Sequence, residues 1–325
     1  MTEPAPVVSV IIPTFHRPGL VGRAVRSALA QTTQELEVIV VVDSRDDETV
    51  QALGDIRDER LRVHVPDRHL GNSDARNEGV ALARGQWIAF LDDDDEWFPH
   101  KLERQLPVVR GAAPGAHPIV SCRLLVRTGR DTMVWPRRTP DPGEDLSEYF
   151  WCRRTPFTGE GMVTTSTILT SRALMQKVPF ASGLTRQEDP DWVLRASRFP
   201  GAYLVFVEDR EPLLAWNMEH DRPRISTRPD WRASATWAQS NRTLFSKRGY
   251  AAFMLHVASS AAASQSAWSA FPSLLVDAVR HGKPRPVDVA SHVANFFLPS
   301  AFQRRVAAWY GRFSSGFTNR VEVPE

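Results

Sequence analysis

Apolar and polar positions along residues 7–109 follow two periods, one typical of buried strands and one typical of helices. Continuous apolar, β-branched runs predict strands buried on both faces, whereas apolar residues repeating every three to four positions predict helices. The predicted strands are Val7–Ile12, Leu36–Val42, the alternating edge strand Leu61–Val65, and Trp87–Leu91; the predicted helices are Leu20–Leu29, Glu48–Leu53, Ala75–Ala83 with Ser73 as N-cap, and Pro99–Val109. Strand–helix alternation of this kind predicts an α/β fold with a mostly parallel central sheet covered on both faces.

The second half of the chain is less regular. Its predicted strands are Ile119–Val126, Thr164–Leu169, Tyr203–Val207 and Leu213–Trp216, and a helix is predicted from Gln187 to Arg195. Residues 127–160 mix prolines, arginines and acids without a period, which predicts a long loop with short helices. From about residue 230 the chain becomes rich in Ala, Ser and Trp and predicts helices. We therefore expect an α/β domain over 1–229 and a helical extension over 230–325.

Four adjacent carboxylates, Asp92–Asp95, follow the predicted strand Trp87–Leu91. Like charges in a row repel one another, and hard oxygen ligands of this kind suit Mg²⁺ or Mn²⁺. Polar residues also follow the first two strands, at Thr14–Arg17 and Asp43–Asp47. Because ligands of open α/β sheets bind beyond the carboxyl ends of the strands, this pattern predicts a site for a cation and a phosphate-bearing ligand. The alternative is an acidic surface turn.

Composition narrows the class of protein. The 325 residues are 42% apolar, with a net charge of +2 and two cysteines. This charge argues against a nucleic-acid-binding protein, and so few cysteines favour a reducing cytoplasm. We expect no signal sequence, since the apolar start is short and lacks a basic region, and no run approaches the roughly 20 apolar residues of a membrane span.

Several catalytic signatures are missing. Neither a dinucleotide-binding glycine motif nor a P-loop follows the first strand, and the nucleophile-elbow and His-Glu-x-x-His patterns do not occur. Helical prenyl synthases also use aspartate-rich motifs with Mg²⁺, but here the aspartates follow a strand. A metal-and-diphosphate site on an α/β sheet is the interpretation that remains.

Five segments resemble family 2 glycosyltransferases in order and spacing. They are Val8–Arg17, Glu37–Asp43, Ala75–Gly79, Trp87–Asp95 and Glu188–Asp189, and the resemblance extends over residues 7–227. It implies the GT-A fold and an inverting, metal-dependent transfer from a nucleotide sugar. It does not extend to the helical extension.

The resemblance assigns the nucleotide side of the site. Asp43 matches the aspartate that binds the nucleobase, and a carboxylate accepts from the imide N–H of uracil. The family usually has two aspartates there, whereas this chain has Val42 at the first. The other donor-binding positions implied are Pro13 and Thr14 at the floor of the base pocket, Arg17 and Arg76 toward base or phosphate, and Asp92 and Asp93.

The resemblance assigns the metal ligands to the aspartate run Asp92–Asp95. Asp94 matches the residue that binds Mn²⁺ or Mg²⁺ directly, and Asp92 the one that contacts the ribose or a metal-bound water. Asp93 and Asp95 are supporting acids, and His220 is a further candidate toward metal or diphosphate.

The resemblance assigns the catalytic base to the segment Glu188–Asp191. Asp189 matches the catalytic base, with Glu188 and Asp191 as runners-up. Glu188, Asp191 and Trp192 are candidate acceptor contacts, although core packing is the alternative for the tryptophan. Acids in the first turn of a helix are also favoured by its dipole without any catalytic role.

Together these features predict a hexosyl- or N-acetylhexosaminyl-transferase that moves a sugar from a UDP-sugar to a hydroxyl of a glycan or lipid-linked glycan, as in cell-surface polysaccharide synthesis. The alternatives are a nucleotidyltransferase acting on a sugar phosphate and a non-catalytic nucleotide-sugar-binding protein.

The C-terminal region is basic. Residues 274–320 hold seven Lys/Arg against two Asp, and Phe302, Val306, Trp309, Tyr310 and Phe313 would share one helical face. Such a segment either binds the inner face of the cell membrane peripherally or docks on its own domain.

Overall fold

A computed structural model describes residues 6–128, 131–155, 159–208, 210–217 and 230–298. The chain divides into two compact units: Met1–Thr139 with Met162–Thr227, called the sheet unit below, and Pro140–Gly161 with Arg228–Glu325, called the helical unit. The segment 140–161, which the sequence analysis placed in the first domain, belongs to the helical unit.

The described strands are β1 (Val8–Thr14), β2 (Leu36–Val42), β3 (Leu61–His64), β4 (Trp87–Phe90), β5 (Asp95–Trp97), β6 (His117–Ser121), β7 (Leu124–Thr128), β8 (Asp131–Trp135), β9 (Leu169–Ser171), β10 (Ala202–Phe206) and β11 (Leu214–Asn217). The described α-helices are α1 (Pro18–Leu29), α2 (Asp47–Gly54), α3 (Asn72–Leu82), α4 (Lys101–Arg110), α5 (Leu146–Trp151), α6 (Arg172–Lys177), α7 (Glu188–Ala196), α8 (Trp231–Ser240), α9 (Lys247–Ala252), α10 (Ser259–Ser264), α11 (Ala270–His281) and α12 (Pro286–Phe297).

A seven-stranded sheet forms the core of the sheet unit, in the order β10-β6-β9-β4-β1-β2-β3. Its neighbours pair in parallel except at β9, which runs antiparallel to β4 and β6. Every residue of β1, β2 and β4 is buried, as continuous apolar runs predict. The predicted mostly parallel α/β sheet is confirmed, with β3 at one edge.

A second, four-stranded sheet, β5-β11-β7-β8, was not predicted. The predicted single strand Ile119–Val126 is wrong, because residues 122 and 123 leave the first sheet and β7 continues in the second. There β7 pairs with β8 within the region predicted as loop, with Leu124 opposite Trp135. The residues before and after this change of sheet are equally apolar and buried, so the periodicity of the sequence cannot locate the point where one strand ends and the next begins.

Two local predictions are also wrong. Ser73 lies inside α3, and the N-cap is Gly71, whose φ of 82° lies in a region that glycine adopts without steric cost. The predicted strand Thr164–Leu169 is a 3₁₀ turn over Thr165–Thr167 followed by β9. The Thr167 hydroxyl donates to the Thr164 carbonyl at 2.7 Å, the local hydrogen bond by which threonine competes with a strand.

The helical unit contains α5 and α8–α12. The α5 segment joins it through Ser246, whose backbone N–H donates to Ser147 Oγ at 2.9 Å and whose hydroxyl donates to Glu148 at 2.7 Å. Trp151 stacks on Phe245 with 5.0 Å between ring centroids. These contacts join residues far apart in sequence, which is why composition alone could not assign residues 140–161. Across the described ranges, no helix has the length and apolarity that crossing a membrane requires.

Candidate active site

The carboxyl ends of β1, β2 and β4 meet at one edge of the sheet, because Val8 of β1 pairs in parallel with Leu36 on one side and Trp87 on the other. Strand β1 continues through Pro13, beyond the predicted end at Ile12, and ends at Thr14. The Thr14 carbonyl accepts from the Asp43 backbone N–H at 2.8 Å. The three predicted strand ends therefore converge.

The acidic run Asp92–Asp95 alternates between accessible and buried side chains. Asp93 and Asp95 are 4% and 2% exposed, whereas the side chains of Asp92 and Asp94 keep 33% and 13% exposure. The two accessible carboxylates, Asp92 and Asp94, are the ones predicted to contact the metal. An acidic turn in bulk solvent would not bury every second side chain, so that alternative is excluded.

Asp93 connects the acidic run to the end of β1 through hydrogen bonds. Thr14 Oγ1 and Arg17 Nη1 each donate to one of its oxygens at 2.7 Å. Burial raises the pKa of Asp93 to about 6, and the nearby Asp94 adds to this, while Arg17 and Thr14 oppose it. Both oxygens of Asp93 thus accept from the end of β1, as expected of a supporting acid, and the donor contact also expected of Asp93 stays a prediction.

Asp94 lies beside two arginines. Arg17 Nη1 is 3.6 Å from Asp94 Oδ2, and Arg23 Nη2 donates to the Asp94 carbonyl at 3.1 Å. Asn217 of β11 donates to the same carbonyl at 3.2 Å. The backbone at Asp94 is thus held from α1 and β11 while its carboxylate stays accessible.

In the described part of the chain, no three His, Cys, Asp or Glu side chains are grouped to hold a metal ion by themselves. The predicted ligand His220 lies outside the described residues. Mg²⁺ is usually held by one or two carboxylates, with substrate phosphates and water completing the shell. The donor set of Asp92 and Asp94 fits a metal shared with a diphosphate and not a metal bound by protein alone.

Asp43 closes the loop that leads into α3. It is 4% exposed, and its oxygens accept from the backbone N–H groups of Leu70 at 2.5 Å and Gly71 at 2.7 Å. His69 Nδ1 lies 3.1 Å from Asp43 Oδ2. Since each carboxylate oxygen can accept two hydrogen bonds, Asp43 retains acceptor capacity for a ligand.

An aromatic surface beside Asp43 was missed by the sequence analysis. Phe15 is 44% exposed, and its ring centroid lies 4.7 Å from that of His69. The signal was present, since an aromatic residue directly follows Thr14 in a predicted binding loop. An exposed ring next to a buried carboxylate is suited to stacking on a planar base.

Arg76 points from α3 into the site. It is 2% exposed, donates to Asp92 Oδ1 at 2.7 Å and lies 5.3 Å over the Phe180 ring. The helix approaches β1 closely at Gly79, where a Cβ would lie 2.4 Å from Ile11 Cγ2. Arg76 is therefore a buried partner of the acidic run and not a solvated helix residue.

Asp189 lies in the first turn of α7 and is half-buried. The Thr165 hydroxyl donates to its Oδ1. Burial raises the pKa of Asp189 to about 6; Arg76 opposes this, and the negative charges of Asp92 and Glu188 add to it. The predicted base thus shares its electrostatic environment with the accessible end of the acidic run.

Two consecutive residues that the sequence analysis missed connect these carboxylates. Thr165 contacts Asp189, while Ser166 Oγ accepts from the Asp92 backbone N–H at 3.0 Å and donates to Asp95 at 2.6 Å. The sequence signal was the hydroxyl run Thr164–Thr167, which instead suggested a strand. This turn fixes the predicted base relative to the predicted metal ligands.

Two of the candidate acceptor contacts, Asp191 and Trp192, are buried. Asp191 is 2% exposed and accepts from Arg195 Nε at 2.8 Å, one helical turn away. Trp192 is fully buried, and its indole N–H donates to the Val178 carbonyl at 2.7 Å. Both side chains stabilise α7 from within, whereas Glu188 remains partly exposed.

If Asp189 is the base, donor turnover should depend on its ionisation. We expect kcat/KM to fall about tenfold per pH unit below pH 6, because only the carboxylate accepts a proton. Thr165→Val removes a hydrogen bond that favours the carboxylate, so the acid limb should move to higher pH. The matched control is Thr170→Val, since Thr170 is equally buried but donates to the Pro118 carbonyl. An acid limb that is the same in both variants would exclude this assignment.

Known sequences are similar to this chain over much of its length. The sequence model described as "Glycosyl transferase family 2" matches residues 9–178. The succinoglycan biosynthesis protein ExoO of Rhizobium meliloti is 39% identical over 114 residues, which cover 35% of this chain and 32% of ExoO. The amylovoran biosynthesis glycosyltransferase AmsB of Erwinia amylovora is 27% identical over 218 residues, covering 65% of this chain and 69% of AmsB.

A third relative carries a more specific name. The UDP-Glc:alpha-D-GlcNAc-diphosphoundecaprenol beta-1,3-glucosyltransferase WfaP of Escherichia coli is 35% identical over 100 residues, or 31% of this chain and 40% of WfaP. This chain therefore spans about a third to two fifths of the length of ExoO and WfaP.

Among solved structures, S. aureus TarS 1-349 in complex with UDP-GlcNAc superposes with a TM-score of 0.55 at 16% identity. The superposition covers 94% of this chain and 92% of TarS 1-349. At this identity the likeness concerns the fold alone.

Proposed function

The chain belongs to glycosyl transferase family 2, and from this premise we propose that it is an inverting, metal-dependent glycosyltransferase that uses a UDP-sugar. The observation that carries the proposal is the grouping of Asp92, Arg76 and Asp189, with the accessible Asp94 two residues after Asp92 in the acidic run. A site for a metal-bound diphosphate next to a carboxylate base is what sugar transfer from a nucleotide donor requires.

Asp92 and Asp94 would hold Mg²⁺ or Mn²⁺ together with the two phosphates of the donor. When bound, the metal supplies positive charge that stabilises the departing diphosphate. Arg17, 31% exposed and 3.6 Å from Asp94, lies where it adds to that charge. His220 stays a proposed further ligand.

The base is proposed to be Asp189. The acceptor hydroxyl oxygen forms a bond to the anomeric carbon while the bond from that carbon to the diphosphate oxygen breaks, and Asp189 takes the hydroxyl proton. Attack opposite to the leaving group inverts the configuration. A pKa of about 6 keeps Asp189 largely ionised at neutral pH and still basic enough to accept the proton. Glu188 remains a proposed acceptor contact.

Uracil is the proposed base of the nucleotide. Asp43 can accept from an imide N–H, the exposed ring of Phe15 offers a stacking surface, and the buried Pro13 and Thr14 floor the pocket. The printed names of WfaP and of the TarS complex, UDP-Glc and UDP-GlcNAc, favour a UDP donor carrying a hexose or N-acetylhexosamine.

The proposed acceptor is a hydroxyl of a glycan or lipid-linked glycan used in cell-surface polysaccharide synthesis, on the cytoplasmic side. The names of ExoO, AmsB and WfaP support this class, the last through its diphosphoundecaprenol acceptor.

The test is a screen of UDP-, GDP- and CDP-sugars with Mn²⁺ by thermal shift, followed by product analysis. We expect UDP-sugars to raise Tm most and UDP to be released. Phe15→Ala should weaken UDP binding about tenfold, because stacking on one base contributes about 1–3 kcal/mol. Release of pyrophosphate from a nucleoside triphosphate would instead identify a nucleotidyltransferase, and binding with no donor turnover or hydrolysis would identify a non-catalytic binding protein.

A further inference from the structure

Helix α12 of the helical unit is inverted with respect to an ordinary surface helix. Two of its polar residues, Asp288 and His292, are fully buried, whereas Val287, Val293 and Phe297 are 48%, 41% and 59% exposed. Asp288 is the only charged residue of the helix. A surface helix of a water-soluble protein usually shows the opposite arrangement.

Hydrogen bonds fix this orientation. Asp288 accepts from the Arg285 backbone N–H at 2.8 Å and lies 2.9 Å from His256 Nε2, while His292 Nδ1 lies 2.8 Å from Ser259 Oγ. Turning the apolar face inward would break these bonds and leave buried polar groups unpaired, at a cost of several kcal/mol. The outward apolar face is thus built into the helical unit.

The exposed apolar positions form one strip along the outer face of α12. Ala290, Val293 and Phe297 are three to four residues apart and therefore adjacent on the helix surface. The ring of Trp268, itself 56% exposed, lies 5.6 Å from the ring of Phe297, and Leu298 is 42% exposed. The apolar strip is defined by Val287, Ala290, Val293, Phe297, Leu298 and Trp268.

Exposed apolar side chains are concentrated in this part of the protein. Of the twelve exposed large hydrophobic residues of the described chain, seven fall between residues 268 and 298, including Val276 at 62% and Val279 at 59% on α11. Scattered single residues need no explanation, but a concentration of this kind marks an interaction surface.

The exposed charges of α11 and of the segment that joins it to α12 are basic. Arg280 is exposed one turn from Val276 on the same face of α11, and Lys283 follows that helix. Over residues 241–298 the acidic residues are Asp277 and Asp288; the first accepts from the Tyr250 hydroxyl and the second is buried. The exposed ionised groups of this stretch are the basic residues Arg242, Lys247, Arg248, Arg280 and Lys283.

We propose that the α11–α12 hairpin binds the surface of an anionic lipid bilayer, with the apolar strip inserted at the level of the headgroups. Apolar and aromatic residues flanked by Lys and Arg fit such an interface, and tryptophan is favoured there. A second copy of this chain fits less well, because a symmetric contact would bring two basic surfaces together. This inference does not depend on the proposed donor chemistry, and it would bring the enzyme to lipid-linked acceptors.

The test uses the full chain and flotation with vesicles of phosphatidylcholine, alone or with about 30 mol% phosphatidylglycerol, a typical anionic composition. We expect binding to the anionic vesicles that weakens as salt rises, and at least tenfold weaker binding by Val293→Glu/Phe297→Glu. The matched control is Val50→Glu, an exposed helical valine of the sheet unit, which should bind like the parent chain. Arg280→Glu/Lys283→Glu should also weaken binding without touching the strip.

Other occupants of the strip would give different results. A dimer seen by light scattering that the Val293→Glu/Phe297→Glu variant dissociates would overturn the proposal in favour of a second copy. A lower Tm of that variant with unchanged vesicle binding would assign the strip to residues 299–325 of this chain. Sugar transfer to a short soluble acceptor should be equal in all variants, so failure of the membrane proposal is distinguishable from failure of the proposed function.

Discussion

Asp94→Ala is expected to lower kcat/KM for the UDP-sugar by about a thousandfold or more and to abolish the Mn²⁺-dependent part of UDP binding. The Asp94 carboxylate is the accessible member of the acidic run nearest to Arg17, at 3.6 Å. A metal that stabilises a departing diphosphate contributes several kcal/mol, and each 1.4 kcal/mol corresponds to about a factor of ten. UDP-induced thermal shifts with and without Mn²⁺ measure the binding effect, and UDP release measures turnover.

The matched control is Asp55→Ala, an exposed aspartate at the end of α2 in the same unit. It should leave both measurements unchanged. If Asp94→Ala binds UDP·Mn²⁺ like the parent chain, the metal assignment is wrong and Asp92 becomes the remaining candidate in the acidic run. Asp93→Ala should act differently, by loosening the contacts with Thr14 and Arg17 and lowering Tm.

The central fold could be predicted because its signal is local. β1, β2 and β4 are continuous apolar runs whose burial follows from composition, and the parallel order follows from the helices between them. The second sheet could not be predicted in this way. Its strands β5, β7, β8 and β11 are short and come from three separate places in the chain, since only β7 and β8 are consecutive. The pairing of β11 with β5 and β7 depends on contacts that no sequence window contains.

In the candidate site, too, the residues with a local sequence pattern were predicted and the others were not. Asp43, Arg76, Asp92, Asp94 and Asp189 were predicted because each stands in a segment with a recognisable pattern. In the structure Arg76 donates to Asp92, and the charges of Arg76 and Asp92 act on Asp189. Thr165 and Ser166 were missed because hydroxyl residues carry no distinctive spacing. The burial of Asp191 and Trp192 could not be predicted, because it depends on the contact of Asp191 with Arg195 and on the packing of Trp192 against Phe180 and Val178.

Ionised Asp93 and Asp189 lower the stability of the folded chain when no cation is bound. Burial holds the pKa values of Asp93 and Asp189 near 6, above the usual range of an unfolded aspartate. Below about pH 4 both carboxyl groups are protonated in the folded chain and in the unfolded chain. Between about pH 4 and 6 the unfolded chain ionises first, so the contribution of these two groups to stability falls as pH rises. Carboxylates kept at such a cost are expected where they bind or react.

Asp189→Asn is expected to lower sugar transfer by about a thousandfold while leaving UDP-sugar binding within about twofold of the parent chain. An amide cannot accept the acceptor proton, and general base catalysis typically contributes 10²- to 10⁴-fold. Asparagine keeps the size of the side chain and can still accept from Thr165, so the turn over Thr165–Thr167 should stay in place. Donor binding is measured by thermal shift with Mn²⁺ and transfer by UDP release with acceptor present.

Glu188→Gln, one residue away in the same helical turn, is the matched control and should lose far less transfer activity. Unchanged turnover in Asp189→Asn would pass the base role to Glu188, since Asp191 is buried against Arg195.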